Sequence, residues 1–228
     1  TAYEIMPSLV GSEMCIRDSI SVPGDISSAA FWMVLGCIHP ESKIKITNIG
    51  INSTRLGIID VLKSMNANLY LENEREINNE PVADVIVKSS DLTNIEISGD
   101  LVPRIIDELP ILALAACFAK GQTVVKDASE LKFKESDRIL ATVEGLSSLG
   151  ADIIATDDGF VVNGGKKLTG GHCFSHGDHR IAMTMAIAGI MAEGVTTITG
   201  AEAVDVSYPM FWDTLKILCD ALDLHKNE

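Results

Sequence analysis

The chain has 228 residues, of which 46% are hydrophobic and 22% are charged, so it can fold around one large core or two small ones. Its formal net charge of −14 repels polyanions and argues against nucleic-acid and anionic-membrane partners. The longest apolar runs, at residues 111–119 and 181–192, are shorter than the ~20 residues that a bilayer requires. The five cysteines are scattered without C-x-x-C spacing, which is typical of a reducing compartment and predicts a cytoplasmic location.

Residues 1–19 do not share the patterning of the rest of the chain. They show no clear hydrophobic period, and a regularly patterned domain begins abruptly at residue 20. The segment looks like a translated adapter artefact of sequencing libraries, so we expect it to lie outside the fold. The predicted domain therefore spans residues 20–228.

From residue 20 onward, the order of the predicted elements repeats three times. The units span roughly residues 20–97, 98–166 and 167–228, and each contains an apolar helix, a strand, a link with a serine and an amphipathic helix. In chain order, helices are predicted at 28–38, 53–65, 110–120, 136–149, 180–192 and 207–222. Strands are predicted at 43–49, 68–72, 123–126, 152–156, 160–163 and 196–199. Gly121 is expected to cap the third of these helices, and Pro110 to begin it.

These patterns also predict how the elements pack. The first helix of each unit is apolar nearly all round and must be buried on every side, whereas the second is half polar and covers it. Strands such as 43–49 alternate between apolar and polar residues, which predicts one packed and one solvated face. We therefore expect an α/β (α+β) domain of three βαβαββ-type units with helices inside and sheets outside. An ordinary open α/β sheet is the alternative.

Arg138 and Arg180 each lie in the first turn of a predicted helix, where a cation opposes the helix dipole. Ser136 or Asp137 can cap the helix that contains Arg138, and Asp178 can cap the helix that contains Arg180. An arginine at such a position indicates an anionic ligand that uses the guanidinium together with the free backbone N–H groups. A solvated charged surface explains a single cluster of this kind equally well, but two such helix starts favour a binding site.

The histidines near the second motif do not indicate a metal site. His172 and His176 lie close in sequence to Cys173 and Asp178, but their spacing within a glycine-rich stretch is irregular. No metal is therefore expected. His179 can either shuttle protons or form a hydrogen bond as a neutral side chain beside the arginine.

Four motifs, in this order, resemble the C-terminal half of the 5-enolpyruvylshikimate-3-phosphate synthase family. They are Val22-Pro23-Gly24-Asp25-Ile26-Ser27-Ser28-Ala29-Ala30, Asp107-Glu108-Leu109-Pro110, Lys134-Glu135-Ser136-Asp137-Arg138 and Asp178-His179-Arg180-Ile181-Ala182-Met183. The resemblance covers residues 20–224 and implies one domain of the enolpyruvyl transferase fold, an inverse α/β prism, in agreement with the repeat. Two alternatives stay open: the related UDP-N-acetylglucosamine enolpyruvyl transferase, which the third motif disfavours, and a fragment that binds anions without turnover.

The resemblance implies a step of the shikimate pathway towards chorismate and the aromatic amino acids. The enolpyruvyl group of phosphoenolpyruvate is transferred to the 5-hydroxyl of shikimate 3-phosphate, and phosphate is released without a metal or an organic cofactor. By resemblance, Asp107 accepts the hydroxyl proton and Glu135 is an acid and base at the enolpyruvyl carbon. The substrate ligands implied are Lys134 for shikimate 3-phosphate, and Arg138 and Arg180 for phosphoenolpyruvate, with His179 beside them.

The two carboxylates also admit plain structural roles. Asp107 can be an ordinary acid at a helix start, where apolar neighbours raise and cations lower its pKa. Glu135 can be a surface ion-pair partner of Lys132 or Lys134, a contact of little energetic value.

The chain departs from the family in two respects. The family often has a lysine shortly before the Ser/Thr-aromatic-Pro motif of the last unit, and here Val206 precedes Ser207-Tyr208-Pro209. The resemblance covers the C-terminal half alone, so we expect the N-terminal domain, which supplies further substrate ligands in the family, to be missing. Catalysis there requires two domains to close over the substrates, so we expect a half-site with little or no activity alone.

Overall fold

The computed structural model describes residues 21–225, with side chains only as far as residue 220. The segment 1–19 and its boundary therefore lie outside the described residues. In chain order, the α-helices are α1 Ile26–Ile38, α2 Gly57–Ser64, α3 Leu109–Cys117, α4 Arg138–Ser148, α5 His179–Met191 and α6 Phe211–His225. The strands are β1 Lys43–Gly50, β2 Asn68–Ile77, β3 Glu80–Lys88, β4 Glu96–Ile97, β5 Gln122–Val125, β6 Asp152–Ala155, β7 Phe160–Asn163, β8 His172–Phe174 and β9 Thr197–Thr199. Short 3₁₀ helices lie between them, at Gly99–Arg104, Ile106–Glu108, Ser129–Phe133 and Ala201–Val206.

The helices that the sequence predicts to be buried form the centre of the domain. α1, α3 and α5, one from each unit, contact one another in pairs. All nine residues of α3 are buried. No helix in the described part of the chain is both long enough and apolar enough to cross a membrane. Because burial of a large apolar side chain contributes about 1.5–3 kcal/mol, the contacts among these helices stabilise the whole domain.

Three sheets lie on the outside of these helices, one for each unit, although β4 at the end of the first unit belongs to the second sheet. The first sheet has the order β1-β3-β2, and both of its pairs are antiparallel. The second has the order β4-β5-β7-β6, with β4 and β5 parallel and the other pairs antiparallel. The third, within the described residues, is the parallel pair β8–β9. The predicted fold class, an α/β domain with helices inside and sheets outside, is confirmed.

The sequence patterns do not predict β3, the central strand of the first sheet. Residues 82–87 are buried without interruption, so they lack the alternation that marks a strand with one solvated face. The turn from β2 into β3 contains Asn78 and Asn79, whose φ angles are +53° and +61°. Asparagine tolerates this left-handed conformation better than most residues, so the Asn-Asn pair is a hairpin signal that the repeat pattern leaves out.

The serine-containing links lie ahead of the second helices and not inside them, contrary to prediction. α2 begins at Gly57 and α6 at Phe211, after the links that contain Ser53 and Ser207. Only the second link runs directly into its helix, because Asp137 caps α4 by accepting hydrogen bonds from two backbone N–H groups of the first turn. The other two links are loops at the helix ends.

The start of α3 agrees closely with the prediction, but its end does not. Pro110 is the second residue of the helix. The predicted cap at Gly121 is wrong, because α3 ends at Cys117 and Phe118 is the cap residue. Gly121 instead lies in the turn before β5, with a φ of +100° that favours glycine.

Gly164, directly after β7, lies against the end of α3 and provides a test of this packing. A Cβ atom there would come within 2.0 Å of the Ala119 carbonyl oxygen and 2.6 Å of the Ala116 carbonyl oxygen. We expect Gly164→Ala to lower the free energy of unfolding by about 1–3 kcal/mol, measured by urea denaturation, because backbone must move. Gly50→Ala is the control, since its Cβ would meet no heavy atom closer than 3.5 Å. Equal losses in both variants would contradict the prediction.

Candidate functional site

Three segments from the second and third units meet where α3, α4 and α5 begin. The 3₁₀ helix Ile106–Glu108 leads into α3, residues 134–137 lead into α4, and Asp178 precedes α5. Side chains from all three segments are joined by ion pairs. The start of each helix leaves backbone N–H groups without helical partners, so this end of the core favours negative charge.

Arg138 lies at the centre of these ion pairs. Its side chain is only 1% exposed, and its guanidinium contacts three carboxylates. Nε donates to Asp178 Oδ2 at 2.7 Å, and Nη1 donates to Asp107 Oδ1 at 2.9 Å. Nη2 donates to Glu135 Oε2 at 2.6 Å. The arginine in the first turn of α4 is therefore neutralised by the protein itself, so an anion can reach it only by replacing one of these partners.

Asp178 is the fixed partner of Arg138, because its side chain has no exposed surface. Its Oδ1 caps α5 by accepting a hydrogen bond from the Arg180 backbone N–H at 2.9 Å. Its Oδ2 also accepts from Ser136 Oγ at 3.1 Å. Burial alone would raise the pKa of Asp178, but the hydrogen bond and charge of Arg138 outweigh burial and hold the pKa below its ordinary value. The sequence predicts the cap, but not that the same carboxylate anchors the buried arginine.

Asp107 is more exposed, at 39%, and has three cations around it. Lys134 Nζ is 3.3 Å from Oδ1, and Arg180 Nη2 is 3.9 Å from Oδ2, in addition to Arg138. Arg180 Nη1 also donates to the Asp107 carbonyl oxygen at 3.2 Å. Burial alone would raise the pKa of Asp107, but Arg180, Lys134 and Arg138 together bring it below its ordinary value. The sequence leaves open whether apolar neighbours or cations dominate the pKa of Asp107, and in the structure the cations dominate.

Lys134 and Arg180 are the cations that retain access to solvent. Their side chains are 25% and 16% exposed, against 1% for Arg138. Each carries further N–H donors beyond the contact with Asp107. An incoming anion can therefore bind both of them without first breaking a buried ion pair.

Glu135 and His179 lie at the edge of this cluster. Glu135 is half exposed and contacts the cluster through Arg138. His179 is the first residue of α5, and burial is the main cause that lowers the pKa of its imidazole. A histidine with a lowered pKa is neutral at pH 7, as the hydrogen-bonding role requires, but a neutral imidazole can also shuttle protons, so both roles stay predictions. All six residues that the sequence singles out thus lie on the segments that meet at the start of α3, α4 and α5.

The remaining sequence candidates lie elsewhere. Among the described residues, no group of three or more His, Cys, Asp or Glu side chains is arranged to hold a metal ion. His172 Nε2 lies 2.7 Å from Thr199 Oγ1, and His176 Nε2 lies 3.3 Å from Glu144 Oε2. Val206 ends a 3₁₀ helix and is 88% exposed. Because valine is uncharged, this position contributes no cation.

Comparison with known proteins gives one consistent family. The family model described as EPSP synthase (3-phosphoshikimate 1-carboxyvinyltransferase) matches residues 8–215. The 3-phosphoshikimate 1-carboxyvinyltransferase of Roseiflexus sp. (strain RS-1) is 53% identical over 197 residues, which cover 86% of this chain and 46% of that protein. That of Brevibacillus brevis is 53% identical over 208 residues, covering 91% and 49%. The chain therefore spans about half the length of the curated relatives it matches.

Solved structures agree with this result. An EPSP synthase structure from Acinetobacter baumannii has a TM-score of 0.81 and 46% sequence identity, and the match covers 84% of this chain and 45% of that one. The enolpyruvyl transferase NikO from Streptomyces tendae has a TM-score of 0.69 at 19% identity, covering 87% and 44%. At that low identity, the second match shows a shared fold alone.

Proposed function

Since the chain belongs to the EPSP synthase family, we propose that it forms the C-terminal half of an enolpyruvyl transferase. The reaction moves the enolpyruvyl group of phosphoenolpyruvate to the 5-hydroxyl of shikimate 3-phosphate and releases phosphate. One observation carries the proposal: Lys134, Arg138 and Arg180 surround the single carboxylate of Asp107. Both substrates are anions that need such cations, and the hydroxyl must lose a proton to a base.

In this proposal, Asp107 accepts the proton of the hydroxyl whose oxygen forms a bond to C2 of phosphoenolpyruvate. A proton is added to the methylene carbon at the same stage, and loss of that proton and of phosphate then restores the double bond. Without substrate, the cations depress the pKa of Asp107 and make it a weak base. Substrate anions on Lys134 and Arg180 neutralise those cations, which raises the pKa of Asp107 and strengthens the base when it is needed.

Glu135 exchanges its partner when substrate binds. Its carboxylate is 51% exposed and accepts one hydrogen bond from the guanidinium, donated by Arg138 Nη2. The side chain of Asp178, in contrast, is fully buried. A carboxylate or phosphate of phosphoenolpyruvate that binds Nη2 releases Glu135, which becomes free to donate and accept the proton at the methylene carbon. Arg138 thereby binds phosphoenolpyruvate while Asp178 keeps its guanidinium in place. His179 contributes as a neutral hydrogen-bonding side chain beside Arg180.

The proposal includes a second domain that completes the site. The half-length coverage of the relatives supports it, and the three cations at Asp107 are too few to hold two phosphates and two carboxylates. The partner domain would supply the remaining ligands and exclude water when it closes over the substrates. We place the reaction in the cytoplasm, as the scattered cysteines predict, and without metal or organic cofactor, as the family resemblance implies.

Complementation tests the proposal. The chain is mixed with a separately expressed N-terminal domain of a related synthase, and phosphate release is measured with both substrates. We expect turnover at least ~100-fold above that of either part alone, because only the pair orients both substrates. Equal turnover by the chain alone would contradict the need for a partner, and a silent pair would contradict the proposed reaction. The same pair supplied with UDP-N-acetylglucosamine as acceptor should release no phosphate.

A further inference from the structure

Glu108 follows Asp107 directly in the sequence, yet its side chain is far more buried. Glu108 is only 6% exposed, whereas the Asp107 side chain is 39% exposed. It ends the 3₁₀ helix that carries Asp107 and is the residue before α3. Burial raises the pKa of its carboxyl group above the ordinary value. The proposed reaction gives this buried acid no task.

A chain of hydrogen bonds connects Glu108 to the first unit. A side-chain hydrogen bond with Ser27 partly offsets the effect of burial on the pKa of Glu108, and both residues line the same pocket. Ser27 lies in the first turn of α1 and is only 3% exposed. Ser27 Oγ accepts a hydrogen bond from Arg55 Nη2 at 3.0 Å, so its own proton remains for Glu108. The same Nη2 donates to Asp25 Oδ1 at 3.0 Å. This chain satisfies a buried carboxyl group that would otherwise be costly.

In two successive units, an arginine of the serine-containing link makes contact with the start of the next unit's first helix. In the second unit, Arg138 of the link binds Asp178 at the start of α5, the first helix of the next unit. In the first unit, Arg55 of the link reaches Glu108 at the start of α3, with Ser27 between them. The contact in the second unit supplies the cation Arg138 to the Asp107 carboxylate. The contact in the first unit holds the backbone that carries Asp107.

Empty space beside the turn makes this restraint necessary. A cavity of about 130 Å³ adjoins the site, and its walls include Ser27, Arg55, Arg104, Asp107 and Glu108. If the Glu108 side chain is shortened, the 3₁₀ helix Ile106–Glu108 can shift towards this space. Such a shift would carry the Asp107 carboxylate away from its cations.

We propose that Glu108 is a positioning residue for Asp107. Its hydrogen bond to Ser27, supported by Arg55, fixes the turn so that the Asp107 carboxylate stays among its three cations. The inference rests on the proposed function for its effect on turnover, but its effect on the Asp107 carboxylate is independent of any reaction.

The test is residue-specific carboxyl ¹³C NMR titration of Asp107 in the full chain. Removing a neighbouring negative charge alone would lower the pKa of Asp107, whereas moving Asp107 away from its cations raises it. We therefore expect Glu108→Ala to raise the pKa of Asp107 towards the ordinary value. Glu108→Gln should keep it depressed, because the amide oxygen still accepts the Ser27 hydrogen bond. Leu114→Ala, a destabilised control six residues after Glu108 in α3 and fully buried, should also leave it depressed.

Ser27→Ala provides a second route, because it breaks the bridge while Glu108 remains, and it should raise the pKa of Asp107 as well. In the complemented pair, Glu108→Ala should reduce kcat by about 10- to 100-fold with little change in KM, and Glu108→Gln should restore it. An unchanged or lower pKa of Asp107 in both Glu108→Ala and Ser27→Ala would overturn the positioning role. If the wild-type pair shows no turnover, the proposed function fails, while the NMR titration still decides this inference.

Discussion

Replacing Asp178 with alanine is expected to lower the free energy of unfolding by about 3–5 kcal/mol, enough to unfold many domains outright. The variant leaves the Arg138 guanidinium, which is 1% exposed, without the fully buried carboxylate of Asp178. It also removes the cap of α5 and the acceptor of the Ser136 hydroxyl. Urea denaturation followed by circular dichroism measures the loss.

Asp137→Ala is the matched control for this variant. Asp137 is also an aspartate that caps a helix, since it accepts from the backbone N–H groups of Ile139 and Leu140. It has no part in the buried ion pair with Arg138, so its loss should cost only about 0.5–2 kcal/mol. Adding Arg138→Met to Asp178→Ala should recover part of the lost stability, because the buried charge is then gone. Equal costs for the two aspartates would contradict the role assigned to Asp178.

The effect of Asp178 should depend on pH. Because its pKa is lower in the folded chain than in the unfolded chain, its stabilising contribution is complete above the unfolded pKa of about 3.9. The contribution is lost as the pH falls through the folded pKa. The difference in stability between the wild type and Asp178→Ala should therefore be constant around neutral pH and narrow below about pH 4.

Asp107→Asn is expected to reduce kcat of the complemented pair by about 10²- to 10⁴-fold, which is the usual contribution of a general base. The amide cannot accept the hydroxyl proton but has nearly the same shape. Since the Asp107 side chain is 39% exposed, the variant should remain folded. Phosphate release under saturating substrates gives kcat, and circular dichroism confirms the fold.

Glu130→Gln is the control for the change in charge. Glu130 is exposed in the 3₁₀ helix Ser129–Phe133, which precedes the site residues in sequence. Its replacement changes the net charge by the same amount as Asp107→Asn and should leave kcat unaltered. A pair that keeps its turnover with Asp107→Asn would show that another group takes the proton.

Much of the fold can be predicted because the buried helices have no alternative environment. α1, α3 and α5 are apolar nearly all round, and only the centre of a domain suits such helices. The central strand β3 cannot be predicted from alternation, because residues 82–87 are buried on both faces. The end of α3 is also misjudged, since apolar residues continue beyond Cys117 while the backbone leaves the helix.

For the site, too, the sequence pattern predicts some features, whereas others depend on how the units pack. The arginines at two helix starts predict a site for an anionic ligand, which stays a prediction; the structure brings both of them to Asp107. Sequence spacing cannot show that Arg138 is buried and already paired, because its partners Asp107 and Asp178 lie 31 and 40 positions away. Nor can it show that Glu108 is buried beside the more exposed Asp107, which depends on packing against the first unit.

The pairing of Arg138 with Asp178 also determines when the site can form during synthesis of the chain. A ribosome finishes Asp107, Glu135 and Arg138 before the third unit emerges, since Asp178 lies 40 positions after the arginine. Until then, the guanidinium lacks the carboxylate that allows it to enter the core. Burial of this one cation is therefore a late step of folding, so a nascent chain that stops short of the third unit exposes a charged, unfinished surface.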